Sequence, residues 1–435
     1  MMGQVHPNIL YIHSHDTGRY VQPYGHAIPT PNIQRLAESG VLFRKAFSAA
    51  PTCSPSRASL LTGQYAHSNG MLGLAHRGFA LHDYTQHLVH TLRKEGYRSA
   101  LIGEEHIAKD RNAIGYDYVA EIEGFQASIV APAAVEMLAS ELTQPFFLSV
   151  GFFETHREFM KPGSPTDARY AMPPIPLPDT PETRRDIGAF RASAWDLDKG
   201  MGAVLDALDN SGLADNTLVI CTTDHGIAFP RMKANLTDHG IGVMLIMRGP
   251  GGFSGGQVLD ALVSHIDIFP TICDLLQIDS PSWLQGTSML PLIRGEVERV
   301  HDAVFAEVTY HAAYEPMRAV RTPRWKYIRR FDHHLGPVLT NCDDSPSKDV
   351  LMAYGWKERS QPLEQLYDLV FDPNEAHTIA DDLSVAVVLE EMRARLDDWM
   401  RHTHDPLLHG PVPAPPGAEL NDPDQLSPSS PTRFV

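Results

Sequence analysis

Thr217-Leu218-Val219-Ile220-Cys221-Thr222-Thr223 runs directly into Asp224-His225-Gly226. Seven apolar and β-branched residues with no polar alternation read as a strand covered on both faces, the kind found inside a parallel sheet. The pattern recurs. Asn8-Ile9-Leu10-Tyr11-Ile12 leads into His13-Ser14-His15-Asp16-Thr17-Gly18-Arg19, and Ser99-Ala100-Leu101-Ile102-Gly103 into Glu104-Glu105-His106. Phe146 to Phe153 leads into Glu154-Thr155-His156-Arg157, and Val243 to Met247 is expected as a fifth strand. Helical stretches fall between them at Pro31 to Ser39, Thr85 to Glu95 and Glu182 to Asn210. The last follows a proline-rich loop from Met172 to Pro181 and is stopped near Gly212. Apolar strands alternating with helices predict an α/β fold, a mostly parallel central sheet flanked by helices. Ligands of such sheets gather beyond the C-terminal strand ends. A single polar residue after a strand carries little information, but four strands each ending in histidine or carboxylate point to one convergent site.

A second stretch supplies what the strand ends lack. In Pro51-Thr52-Cys53-Ser54-Pro55-Ser56-Arg57-Ala58-Ser59-Leu60-Leu61-Thr62-Gly63, Ser54 is expected to cap a helix, Pro55 to sit in its first turn and Gly63 to end it. Cys53 then lies where a helix N-terminus points free N–H groups at a bound anion. Arg57, one turn in, offers a planar fork to an anionic oxygen group. A lone cysteine in front of a helix is ordinarily a small buried hydrophobe; the complete string carries more.

Composition bounds the partners. The 435 residues, 43% hydrophobic, can bury a large core and are expected to form two domains. A formal charge of -17 argues against nucleic acid or an anionic membrane surface as partner, and it requires any site for an anionic substrate to concentrate positive charge locally. The four cysteines, at 53, 221, 273 and 342, show neither paired spacing nor a zinc pattern. Met1 to Pro7 lacks the apolar core of a signal peptide and no run reaches membrane-spanning length, so the cytoplasm is the expected compartment. Ala303 to Tyr310, Met317 to Arg321, Trp325 to Phe331 and Leu366 to Leu369 are expected as antiparallel strands with a helix from Ala386 to His402 against them, a smaller C-terminal α+β domain. The expected division is a catalytic α/β domain over 1–300, the α+β subdomain over 301–405, and a proline-rich surface tail over 406–435. His311, Glu315, His333 and His334 read as solvated loop residues of that subdomain.

Cys53-x-Pro55-Ser56-Arg57, continued by Leu61-Thr62-Gly63, resembles the signature of the formylglycine-dependent sulfatases of the alkaline-phosphatase-like superfamily. His67-Ser68-Asn69-Gly70-Met71, Asn235-Leu236, Glu364 to Leu369, Asp372-Pro373-Asn374-Glu375 and Thr403-His404-Asp405-Pro406 are similar to the sulfamidase (heparan N-sulfatase) branch. The resemblance implies that a maturation enzyme oxidises Cys53 to formylglycine, whose hydrated aldehyde attacks sulfur. It implies Arg57, His106, His156 and Lys233 as catalytic residues: His106 takes the proton of the second hydroxyl, and His156 and Lys233 hold sulfate and assist the leaving atom. His15, Asp16, Asp224 and His225, with position 53, are the implied shell of one divalent metal. The family carries Asp-Asp where this chain has His15-Asp16; family habit gives calcium, whereas added imidazoles favour manganese. A second departure is Glu104-Glu105-His106, where the family carries lysine in a Gly-Lys-x-His arrangement or directly before the histidine. Arg19, Arg157 or Arg231 is expected to supply the missing cation, and Glu105→Lys to restore it if that side chain faces the pocket. The implied activity is hydrolysis of a sulfuric ester or sulfamate on a small anionic substrate such as a sulfated sugar, by a monomer or homo-oligomer. Two alternatives accompany it: a phosphodiesterase or phosphonate monoester hydrolase on the same scaffold, and a non-catalytic metal-dependent binding protein.

Overall fold

A computed structural model describes residues 6–140, 142–163 and 166–435. Eight strands form the central sheet: β1 (Asn8–Ser14), β2 (Val41–Phe47), β3 (Arg98–Gly103), β4 (Tyr118–Val119), β5 (Phe146–Gly151), β6 (Thr217–Thr223), β7 (Leu245–Arg248) and β8 (Gln257–Ser264). Their order is β4-β3-β5-β1-β6-β7-β2-β8. Every neighbouring pair is parallel except those of β7, which runs antiparallel to β6 and β2. The unbroken apolar character of β1 and β6 has a direct cause, since alternate residues feed opposite cores. Ile9, Tyr11 and Ile220 pack on one face, and Leu10, Ile12, Val219 and Cys221 on the other. The helices Ala127–Ala139 and Pro181–Asn210 cover the second of these faces.

Sequence patterning did not announce β2 and β8. Arg44 and Lys45 interrupt the apolar run of β2, and the register with β8 shifts between Phe43 and Lys45. β8 is the edge strand, exposed over its first half, and its Asp260 pairs with Arg44 at 3.1 Å. An edge strand needs only one covered face, so its composition drifts toward polar.

A second, antiparallel sheet follows, made of β9 (Val304–Tyr310), β10 (Tyr314–Arg321), β11 (Trp325–Arg330) and β12 (Glu364–Asp368) in the order β12-β11-β10-β9. The helix Ala386–His402 packs on it through Leu389, Met392, Leu396 and Met400. A buried polar tie joins this layer to the short helix Ala66–Asn69. His67 Nδ1 is 2.8 Å from Glu307, and the Arg318 guanidinium spans Glu307 (3.1 Å) and Asp405 (2.5 Å). Three separated stretches that resemble one family branch in sequence thus meet in one network.

The expected surface tail after Asp405 is instead folded onto the body. Ala418, Leu420 and Asn421 are buried, Asn421 N–H donates to Ala312, and Tyr310 donates to the Val412 carbonyl. A few apolar residues between prolines suffice to seat a chain that needs no secondary structure of its own. Among the described residues no helix is long and apolar enough to cross a membrane.

Candidate active site

Register builds the centre. Ser14 of β1 stands opposite Thr223 of β6, so the next residues, His15 and Asp16, emerge beside Asp224 and His225. The Asp16 N–H donates to Asp224 Oδ1 at 2.8 Å. His15 Nδ1 lies 2.9 Å from Asp16 Oδ1 and 3.2 Å from Asp224 Oδ2. Burial would raise both carboxyls. Lys233 and His15 outweigh it at Asp16, and His225, His15 and Arg57 at Asp224, holding each well below the usual carboxylate range. Burial lowers His15 to about 4, leaving it a neutral imidazole at physiological pH.

Position 53 closes over this pair. α1 (Pro31–Ser39) precedes β2, and α2 (Cys53–Thr62) follows it with all ten residues buried. The cap differs from expectation: Thr52 is the N-cap residue, Cys53 the first helical residue, and Ser54 uses its hydroxyl to accept the Ala75 N–H at 3.0 Å. Gly63 ends the helix at φ 67°, a left-handed conformation that costs glycine little. Cys53 Sγ is 3.4 Å from His225 Nε2. Burial pushes its thiol well above the ordinary value, so the unmodified side chain is no ready nucleophile. The Arg57 fork is not left open. It reaches Asp224 Oδ2 (3.0 Å), the Ser14 carbonyl (2.9 Å) and His13 Nδ1 (2.6 Å), locking the strand ends to the helix.

The ends of β3 and β5 complete the ring. A nitrogen of His106 lies within 4.8 Å of ligand atoms of His15 and Cys53. Its Nε2 shares a 2.7 Å hydrogen bond with His76 Nδ1, the rings stacked at 5.0 Å, and burial holds His106 well below its usual value. Lys233 Nζ donates to Asp16 Oδ2 at 2.8 Å, lies 3.2 Å from Asp343 Oδ2 and 3.5 Å from His156 Nε2. Burial would lower this ammonium, but Asp16 and Asp343 keep it charged. His156 Nδ1 donates to the Arg157 carbonyl, which turns Nε2 toward the lysine.

Several expectations fail for stated reasons. Glu105 does not face the pocket: it is sealed in the core, 2.8 Å from His87 Nε2. Arg19 donates to the Ala46 carbonyl, and Arg157 grips Asp186 with two 2.8 Å bonds, so neither replaces the family's lysine. Arg231 is exposed and lines a neighbouring cavity of about 650 Å³ with Asn235, Glu315, Arg330 and Trp356. None of Cys53, His106 or His156 lines that cavity, which therefore adjoins the reacting groups without containing them. His311 and Glu315 are buried, not solvated; burial lowers His311 to about 3 and raises Glu315 to about 7. His76 and Asp343 were missed. His76 follows no strand, and Asp343 sits in an ordinary-looking acidic loop more than a hundred residues from Lys233. Only the tertiary fold brings either to the site.

The donor set fits a divalent cation. Ligand atoms of His15, Asp16, Cys53 and Asp224 lie within 4.8 Å of one another, all buried. His225 Nδ1 donates to the Gly226 carbonyl, so the neutral ring aims the Nε2 lone pair at Asp16 Oδ1, 3.2 Å away. Two facing acceptors are reconciled by a cation between them.

Residues 7–278 match the family model described as Sulfatase, and residues 231–348 the one described as N-sulphoglucosamine sulphohydrolase, C-terminal. The chain is 30% identical over 443 residues to the N-sulphoglucosamine sulphohydrolase of Homo sapiens, covering 88% of each chain. It is 27% identical over 430 residues to an ulvan-active sulfatase of Formosa agariphila, covering 94% of this chain and 83% of that one. A solved structure in complex with its substrate D-glucosamine-2-N,6-O-disulfate shares the fold with a TM-score of 0.73 at 17% identity, over 97% of this chain and 99% of that one.

Proposed function

The chain belongs to the sulfatase family, and on that premise we propose that it releases inorganic sulfate from a small sulfated sugar, with Cys53 matured to formylglycine and one divalent metal bound. The observation that carries this reading is the placement of Cys53: first residue of a buried helix, with Lys233, His106 and His156 around it. Matured, position 53 would supply a hydrated aldehyde as nucleophile, and the metal a Lewis acid for the sulfate oxygens. His15, Asp16, Asp224 and His225 would hold that metal, and the two imidazoles favour manganese over calcium.

The chain's own side chains do the rest. Lys233 places an ammonium on the sulfate, its charge secured by Asp16. Lys233 or His156 gives a proton to the departing oxygen or nitrogen. His106, neutral and oriented by His76, accepts the proton from position 53 in the second half of the cycle. Arg57 holds Asp224 and the end of β1 and does not contact the substrate.

Protein made in a host with the maturation machinery is the test. Peptide mass analysis should find formylglycine at position 53, elemental analysis roughly one divalent metal per chain, as a single Lewis-acid site requires, and Cys53→Ala should abolish sulfate release. Near-normal turnover by Cys53→Ala, or full activity of metal-free protein, refutes the reading. Faster cleavage of phosphate than sulfate aryl esters would instead place the chain with the phosphoesterases of this scaffold.

A further inference from the structure

Asp343 is a carboxylate where an anion site has least use for one. Its Oδ2 lies 3.2 Å from Lys233 Nζ, whose charge Asp16 already matches at 2.8 Å, and His156 Nε2 stands 3.5 Å from the same ammonium. Oδ2 is buried and, among the described residues, makes no contact beyond this ion pair that qualifies as a hydrogen bond. A second carboxylate weakens the hold of Lys233 on a sulfate oxygen, so its presence is compensated only if the substrate brings N–H donors or positive charge to this edge. Asp343 comes from the loop after the turn Leu339–Asn341, in the C-terminal layer, whereas Asp16 and Asp224 come from strand ends of the central sheet. It therefore stands beside the two proposed proton donors, on the leaving-group side of the sulfate.

We infer that Asp343 selects for nitrogen as the leaving atom, making the protein a sulfamate hydrolase in preference to an ester hydrolase; this rests on the sulfatase reading above. In the step concerned, an oxygen at position 53 attacks sulfur, the S–O bond forms and the S–N bond breaks with its electron pair passing to nitrogen. The attacking hydroxyl gives up its proton to a base, and nitrogen takes one from Lys233 or His156, leaving an amine. A further proton from water makes it an ammonium. Asp343 accepts the N–H of the sulfamate and then pairs with that ammonium. An ester offers no such hydrogen, since its departing oxygen receives one proton and stays neutral.

The test is Asp343→Asn in the matured, metal-loaded protein, assayed on N-sulfoglucosamine and on N-acetylglucosamine 6-O-sulfate. The isosteric amide on a partly exposed loop leaves the fold intact, which melting curves check. The wild type should favour the sulfamate. The variant should lose at least tenfold in kcat/KM on it with ester cleavage unchanged or raised, and inhibition by glucosamine, but not by N-acetylglucosamine, should weaken. Equal losses on both substrates with glucosamine inhibition intact would show that Asp343 only positions Lys233. A wild type that prefers the ester overturns the inference as well. Glucosamine binding by calorimetry to Cys53→Ala, with and without Asp343→Asn, needs no turnover; it judges Asp343 even where absence of sulfate release from either substrate refutes the sulfatase reading.

Discussion

Replacing Lys233 by alanine removes the cation on which the proposed chemistry turns. The ammonium is 3% exposed, bonded to Asp16 at 2.8 Å and 3.2 Å from Asp343. Deleting one such donor to a developing anionic oxygen costs about 3 kcal/mol of transition-state stabilisation, roughly a hundredfold in kcat. The same change strips Asp16 and Asp343 of their shared partner, and an uncompensated buried charge costs on the order of 3–5 kcal/mol of stability. The two effects separate with a chelator. A bound divalent cation continues to compensate Asp16, so the melting temperature of Lys233→Ala should fall further in metal-free than in metal-loaded protein. Initial rates of sulfate release, normalised to formylglycine content, measure the first effect. Unchanged kcat and KM in Lys233→Ala would remove Lys233 from the anion site and with it the argument for Asp343.

Two further outcomes follow from buried charge. Glu105→Lys should not tighten sulfate binding, because it inserts an ammonium beside His87 in a sealed core; a loss of about 3 kcal/mol or more in chemical denaturation is expected, and improved binding would contradict the geometry. Burial would raise Glu307, but His67 and Arg318 hold it at about 2 against an ordinary 4.5, so its stabilisation is complete above 4.5 and is lost as pH falls through about 2; acid titration of Glu307→Gln should show a shallower loss of stability across that interval than the wild type.

Much of the centre was legible because the chemistry sits at strand ends. Apolar runs such as Asn8–Ile12 and Thr217–Thr223 mark the middle strands, and the residue just past each run marks the C-terminal edge. His15, Asp16, Asp224 and His225 could be paired on that basis before any coordinates. Illegible parts depend on where a side chain turns after the strand ends. Adjacent residues of an extended segment point to opposite sides, so Glu105 meets His87 while neighbouring His106 meets His76, a choice that the letters Glu-Glu-His do not disclose. The edge strand β8 failed for another reason, a polar composition that an uncovered face permits.

The charge arithmetic of the site explains why a metal belongs there. Two buried cations, Arg57 and Lys233, face three carboxylates, those of Asp16, Asp224 and Asp343, while burial keeps His15 and His106 neutral. Side chains alone leave the pocket anionic, within a chain of formal charge -17. Where the family carries Asp and Lys, this chain has His15 and Glu104, and the net effect of both exchanges is to make the side-chain balance more negative. A divalent cation on Asp16, Asp224, His15 and His225 reverses the sign at the point where sulfate would sit, without changing the field over the rest of the surface. The imidazole at position 15 then follows a consistent logic: one carboxylate fewer leaves more of the metal's charge for the substrate, in a site that lacks the usual lysine.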